Sequence, residues 1–192
     1  MWKRYLYWYD TRMTMHGMNH DEKPIALGNW GENIAWKLYK TSAPPPAELC
    51  TAVMCVAIAD GKVVLARSER GWGMLGGHIE DGETLEAALR REALEEGGFI
   101  IARHKLFAVR KITARVQVSQ RPGISYPFPV SYMAYYWATT SGPLQALTGE
   151  EILESGSFTL GEVGTLETSD QFVIEAGWEA HRAHQQPSMF PL

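Results

Sequence analysis

The sequence has few cysteines, no excess of positive charge and no long hydrophobic run. Its two cysteines, Cys50 and Cys55, form no CxxC pair and have no His or Cys cluster beside them. This argues against a structural zinc site and against a disulfide framework. Their odd separation predicts opposite faces if they share a strand, with both thiols free and packed in or near a core.

The formal net charge of −4 argues against a general nucleic-acid-binding protein, which needs a basic surface. The first residues, MWKRYLYWYD, contain no apolar segment of the kind that a signal peptide carries. No stretch is long and apolar enough for a membrane helix. We therefore expect a cytoplasmic protein with no membrane partner, which can still bind a phosphate-bearing ligand if a cation mediates the contact.

The length of 192 residues suits one domain with an extension. We predict an N-terminal extension over residues 1–43, a stiff proline-rich linker over residues 44–47, a main domain over residues 48–185 and a tail over residues 186–192.

The extension contains a strand-like start, Trp2–Tyr9, and a pattern that predicts a short helix over Glu32–Tyr39. Its aromatic side chains can pack on the main domain or on a second subunit. The sequence leaves both open, so a homodimer is one expectation and an interaction arm is another.

The main domain is predicted to be a mixed α/β domain with helices packed on a sheet. Two apolar runs around Asp60-Gly61 predict a β-hairpin. The other predicted elements are, in chain order, a helix over 84–96, strands over 105–118 and 131–140, loop and short-helix segments over 148–154 and 157–163, and a helix over 170–184.

One face of the helix over 84–96 is apolar in its first half and anionic in its second. At about 100° per residue, Glu92, Glu95 and Glu96 fall on the same side as the apolar residues; we call these three the acidic face. Neighbouring carboxylates repel one another unless a pKa rises or a cation binds. Mg²⁺ suits such a site, but a solvated face with arginine partners explains the same pattern.

The residues before the helix favour a binding site. Gly76 and Gly77 allow the backbone to approach a ligand closely because no Cβ intervenes. Glu83 precedes Arg91 by two turns, so a direct pair between them requires the chain to bend near the start of the helix.

The stretch from Gly77 to Phe99 resembles the box of the Nudix hydrolase family, G-x5-E-x7-R-E-U-x-E-E-x-G-U, where U is a bulky apolar residue. The fixed positions all match: Gly77, Glu83, Arg91, Glu92, Glu95, Glu96 and Gly98. The chain departs from the family in its small Ala93 and in Leu75, which stands where the family often has proline. The segment from Glu151 to Val163 is similar to a frequent late segment of the family.

The resemblance implies an α/β/α sandwich around a mixed sheet. It also implies cleavage of a diphosphate linkage in a nucleoside diphosphate joined to another group. Carried over by position, Glu92, Glu95 and Glu96 together with the Gly77 carbonyl would bind Mg²⁺ or Mn²⁺.

The same carry-over gives the other site residues. Arg91 and Glu83 would orient the metal-binding glutamates. Glu92 and Glu151 are the candidates for the general base, although Glu151 is also explained as one more surface glutamate.

The segment from Ser125 to Met133 partly resembles SQPWPFP-x-S-L-M, a signature of NADH pyrophosphatases, which are also Nudix enzymes. The Gln-Pro and the Trp of that signature are absent, and the chain cannot supply the four-cysteine zinc ribbon common in those enzymes. Tyr126 or Phe128 would stack on a base or nicotinamide ring if the loop binds substrate. The alternative is a strand entrance whose aromatics belong to the core.

Arginines are further candidate phosphate contacts, because a guanidinium binds phosphate through two parallel hydrogen bonds. The candidates are Arg67, Arg70, Arg110 and Arg121.

Taken together, the sequence predicts a Mg²⁺- or Mn²⁺-dependent hydrolase acting on a small nucleotide: a nucleotide sugar, ADP-ribose, a dinucleotide or a nucleoside triphosphate. The alternatives are a catalytically weak nucleotide sensor on the same fold and a protein whose extension is the functional part. The intact Arg91-Glu92 and Glu95-Glu96 pairs favour the enzyme.

Overall fold

The structure is a computed structural model that describes residues 23–117, 126–149, 151–166, 168 and 170–185. The predictions made for Trp2–Tyr9, Arg121 and the tail lie outside these residues. In the part of the chain that is described, no helix combines the length and apolar character needed to cross a membrane.

Nine strands within the described residues form one sheet. They are β1 (Ala26–Trp30), β2 (Ile34–Lys40), β3 (Cys50–Ala59), β4 (Lys62–Ser68), β5 (Gly71–Gly73), β6 (Leu75–His78), β7 (Ile101–Ala114), β8 (Val130–Thr140) and β9 (Glu154–Phe158). The main order is β1-β2-β7-β8-β3-β4-β5, while β6 pairs with β3 and β9 pairs with β4. The β3–β8 pair is parallel and the other pairs are antiparallel, so the sheet is mixed.

Helices cover both faces of this sheet. The helix α1 (Leu85–Gly97) buries Ala88, Leu89 and Ala93 against one face. After the short α2 (Leu160–Val163), α3 (Gln171–Gln185) buries Val173 and Ile174 against the other. The predicted α/β/α arrangement around a mixed sheet is confirmed.

The hairpin and two of the helices follow the sequence pattern. Asp60 and Gly61 join β3 to β4 with φ of 48° and 69°, the conformations that a tight hairpin turn requires. The helix α1 begins after Thr84, whose side chain accepts a hydrogen bond from the backbone N–H of Ala87 at 3.1 Å. The predicted helix over 170–184 appears as α3.

The predicted helix over Glu32–Tyr39 is wrong, because most of that segment is strand β2, which pairs antiparallel with β7. Ile34, Trp36 and Leu38 alternate along β2 and are more buried than the residues between them. This period of two is a strand pattern. The hairpin of β1 and β2 therefore belongs to the same sheet as the rest of the fold.

The prediction that Cys50 and Cys55 face opposite sides is also wrong. Both thiols are free and buried in the same core as α1. The pairing of β3 with β8 shifts register between Cys50 and Ala52, and one irregular residue exchanges the faces of the strand.

Strand β9 was not predicted, since residues 148–154 and 157–163 were expected to be loop and short helix. Its sequence, ESGSF, is polar and contains glycine. It pairs with β4 from Val63↔Phe158 to Arg67↔Glu154. The short helix expected in this region is present as α2.

Gly98 ends α1 with φ of 59°, and its N–H bonds to the carbonyls of Ala93 and Leu94. A Cβ added there would lie 2.0 Å from the backbone oxygen of Gln145. We expect Gly98→Ala to lower the free energy of unfolding by roughly 2 kcal/mol or more, from left-handed strain plus the backbone clash.

Gly142→Ala is the matched control, because a Cβ at Gly142 would meet nothing within 4 Å; we expect a change within about 0.5 kcal/mol. Urea denaturation of both variants measures the difference. Equal stabilities of the two variants would show that the close contact between Gly98 and the backbone of Gln145 does not limit which residue can end α1.

Candidate active site

The acidic face is positioned by strand β6 on one side and helix α1 on the other. Gly76 and Gly77 pair with Met54 and Val53 of β3, and α1 packs across these strands. A Cβ at Gly77 would lie only 2.4 Å from Oε1 of Glu92. The glycine therefore lets the Glu92 carboxylate lie directly against the backbone of β6.

The guanidinium of Arg91 connects most of the groups at this face. Its Nε and Nη2 donate to the two carboxylate oxygens of Glu83 at 3.0 and 2.9 Å. Its Nη1 donates to Glu92 at 2.9 Å and to Glu95 at 3.2 Å. Nη2 also donates to the backbone oxygen of His78 at 3.0 Å. The bend that the sequence required between Glu83 and Arg91 is therefore present.

Glu83 and Arg91 stabilise each other's charge. The two hydrogen bonds from Arg91 hold the pKa of the Glu83 carboxyl below its usual range. The same pair, with further help from Glu92, raises the pKa of Arg91. This two-point contact fixes the plane of the guanidinium and with it the positions of the other acceptors.

Burial disfavours the charged forms of both Glu92 and Glu96. Burial raises the pKa of Glu92, against the lowering influence of Arg91. Burial also raises the pKa of Glu96 to about 7, with further contributions from the charges of Glu92, Glu151 and Glu95. The carboxylate of Glu96 accepts a hydrogen bond from the backbone N–H of Gly76 at 2.7 Å.

The loop that follows β8 brings Glu151 toward the acidic face. The backbone N–H groups of Thr148 and Gly149 donate to the carbonyl of Glu95 at 3.3 and 3.0 Å, which fixes the loop on the C-terminal end of α1. The side chain of Glu151 is exposed, and its charge reaches Glu96.

The arginines predicted to bind phosphate are placed differently from one another. Arg67 forms an ion pair with Glu154 across β4 and β9, whereas Arg70 is exposed in the turn before β5. Arg110 is 3% exposed, donates to Asp170 at 3.0 Å and lies over the ring of Trp36. Its contacts belong to the α3 side of the sheet, away from the acidic face.

Tyr126 contacts a residue that the sequence reasoning missed. The Tyr126 hydroxyl and Nε2 of His78 are 2.8 Å apart, and the two rings meet edge to face. His78 directly follows Gly77, and its backbone oxygen accepts from Arg91. Its position next to the paired glycines was the available signal. Phe128, beyond Tyr126, is 46% exposed.

The donor chemistry of the acidic face fits a hard divalent cation. Its side chains offer carboxylate oxygens whose negative charge exceeds the positive charge of Arg91, and Mg²⁺ and Mn²⁺ prefer oxygen ligands. Within the described residues, no three His, Cys, Asp or Glu side chains are already arranged as a metal-binding group. Instead of converging on a common point for a cation, Glu92 and Glu95 each direct one oxygen to Nη1 of Arg91.

Several solved structures have a similar fold. The chain matches the pyrophosphohydrolase BsRppH of Bacillus subtilis with a TM-score of 0.53 and 20% identity, over 70% of this chain and 77% of that one. It matches the NUDIX domain of Shewanella oneidensis NrtR, solved with ADP ribose, with a TM-score of 0.52 and 17% identity, over 76% and 94%. At these identities the likeness concerns the fold alone.

A curated relative is similar over a shorter stretch. The chain is 40% identical over 60 residues to the oxidized purine nucleoside triphosphate hydrolase of Danio rerio. This match covers 29% of the chain and 37% of the relative, so the chain spans little more than a third of that protein's length.

The family model described as the NUDIX domain matches residues 48–176, which include the acidic face, Arg91 and the paired glycines. The chain therefore belongs to the NUDIX domain family.

Proposed function

We propose that this hydrolase uses a divalent cation to cleave a diphosphate linkage in a nucleoside diphosphate joined to another moiety. The substrate would be a nucleotide sugar, ADP-ribose, a dinucleotide or a nucleoside triphosphate. The observation that carries the proposal is the acidic face itself, where Glu92 and Glu95 share Nη1 of Arg91 and Glu96 accepts from the backbone N–H of Gly76.

Glu92, Glu95, Glu96 and the Gly77 carbonyl would hold Mg²⁺ or Mn²⁺. The ion would supply charge neutralisation on the phosphate oxygens and a more nucleophilic water. Glu95 would have to turn from Arg91 toward the ion, which its partly exposed side chain allows. Arg91, anchored by Glu83 at two points, would keep Glu92 oriented during this change.

Two carboxylates remain candidates for the general base. Glu92 is buried and bonded to Arg91, whereas Glu151 is exposed and close enough to raise the pKa of Glu96. The pH–rate profile of Glu151→Gln distinguishes them, because loss of the acidic limb assigns proton transfer to Glu151.

The substrate is best identified by product release from a panel of nucleotides in the presence of Mg²⁺. The panel includes nucleoside triphosphates, oxidised purine triphosphates, NADH, ADP-ribose, nucleotide sugars and dinucleoside polyphosphates. A Mg²⁺-dependent preference for one group supports the proposal. Saturable nucleotide binding with no turnover across the panel would instead favour the sensor.

With the preferred substrate, we expect Glu95→Gln to lose roughly 100-fold or more in kcat, because a carboxylate ligand is removed. Glu86→Gln is the matched control: it makes the same change on the same helix, where Glu86 pairs with Arg90. Circular dichroism should show both variants folded. Full activity of Glu95→Gln would contradict the role given to the acidic face.

In the metal-free protein, Glu96 should lower the free energy of unfolding most above neutral pH, where its carboxyl group is ionised. Because the folded-state pKa of Glu96 is raised to about 7, the folded state binds more protons than the unfolded state between its usual value and pH 7. Stability from this group is therefore lost as pH rises through that window. In EDTA at pH 8, we expect the free energy of unfolding of Glu96→Gln to exceed that of the wild type by roughly 1–3 kcal/mol. Near pH 5 the two free energies should be equal.

Urea denaturation at the two pH values measures this effect, with Glu86→Gln as the control that should show no gain. Added Mg²⁺ should stabilise the wild type more than Glu96→Gln. If Glu96→Gln is no more stable than the wild type at pH 8, the ionised Glu96 carboxylate does not destabilise the metal-free fold.

The contact of Tyr126 with His78 supports a substrate-binding role for the segment with Tyr126 and Phe128. We expect Tyr126→Phe to raise KM about three- to tenfold with a smaller change in kcat, since one neutral hydrogen bond is lost. Tyr39→Phe, on strand β2, removes a hydroxyl away from this contact. An unchanged KM in Tyr126→Phe would exclude a substrate-positioning role for the hydroxyl.

A further inference from the structure

A cavity of about 430 Å³ lies on the side of the sheet opposite α1. It is bounded by β7, β8 and the last turns of α3. Trp137 of β8 belongs to the core beneath α3, whereas the apolar residues of α1 belong to the other core. The cavity is therefore separated from the acidic face by the sheet. We call it the basic cavity; its lining residues are Arg103, Trp137, His181, His184 and Gln185.

The described residues that line the basic cavity carry basic and hydrogen-bonding side chains and no carboxylate. The side chain of Arg103, at the exposed rim, makes no hydrogen bond or ion pair with another described residue. Among the described residues, this guanidinium beside two imidazoles leaves a surplus of donors and positive charge. This is the reverse of the acidic face, where acceptors are in surplus.

His181 provides a buried polar atom that lacks a partner. The residue is 7% exposed, and its Nδ1 has no hydrogen-bond partner among the residues that the structure describes. Its Nε2 lies 2.9 Å from the side-chain nitrogen of Gln185. Because an amide nitrogen only donates, Nε2 accepts and the neutral ring carries its proton on Nδ1. A buried N–H without an acceptor is unfavourable.

The electrostatic environment agrees with this surplus of donors. Burial lowers the pKa of His181, and the positive charges of Arg103 and His184 lower it further. The rings of His181 and His184 lie 5.1 and 5.3 Å from the ring of Trp137. The indole thus supports both imidazoles at the wall of the cavity.

We propose that the basic cavity binds the phosphate group of a small molecule, either inorganic phosphate or a nucleoside monophosphate. A phosphate offers several acceptor oxygens to donors that approach from different directions, and Arg103 can bind two of them. The volume suits a ligand of this size. The proposal goes beyond the diphosphate hydrolysis proposed above and does not depend on it.

The test is titration of the full chain with inorganic phosphate and, separately, with AMP, in EDTA at constant ionic strength. Without a divalent cation the acidic face repels phosphate, so binding there does not interfere. Histidine ring signals in NMR spectra report the site, and the variants His181→Gln and His184→Gln assign them. Isothermal titration calorimetry gives the affinities.

We expect saturable binding that shifts the signals of His181 and His184. Arg103→Gln should weaken it roughly tenfold or more, because a charged donor is lost. Arg182→Gln is the matched control, since Arg182 is exposed on α3 and does not line the cavity; its affinity should stay at the wild-type value.

Binding of inorganic phosphate with these properties supports the proposal and shows that the phosphate alone is sufficient. Binding of AMP only also supports it and identifies a phosphate monoester as the ligand. Absence of saturable binding in both titrations would overturn the proposal. Equal weakening by Arg103→Gln and Arg182→Gln would do the same, because it would show a diffuse charge effect rather than a site.

Discussion

The arrangement of the candidate active site depends on how one guanidinium is shared. Arg91 donates to Glu83, Glu92, Glu95 and the backbone of His78, and a single positive charge cannot neutralise three carboxylates. The pair with Glu83 takes two of its contacts and fixes its plane. Glu92 and Glu95 are therefore oriented by Arg91 but left with negative charge, which is the condition under which a cation binds well.

This charge can be held near the protein interior only because the backbone supports it. Gly77 leaves space for the Glu92 carboxylate, and the N–H of Gly76 bonds to Glu96. At the other end, the loop before Glu151 bonds to the carbonyl of Glu95. The sheet and the loop thus hold α1 from both sides. These contacts keep the glutamates of α1 close together despite their mutual repulsion.

The parts that the sequence predicts correctly are those with local causes. The helical period of α1 and the Asp60-Gly61 turn are each determined by neighbouring residues. The errors have non-local causes. Strand β9 exists through its pairing with β4, and the face of Cys50 changes with a register shift against β8. The segment predicted as a helix over Glu32–Tyr39 contains strand β2 because it pairs with β7, which lies about 75 positions further along the chain.

The two faces of the sheet carry opposite electrostatic imbalances. The α1 face gathers carboxylates around one arginine. On the α3 face, the described residues that line the cavity include an arginine and two histidines and no carboxylate. Both leave polar groups only partly satisfied, which costs stability in a fold of ordinary size. The same imbalances define complementary ligands, a cation on one face and an anion on the other. Since a ligand that binds only the folded state stabilises it, each face should gain most from the ion that the other face repels.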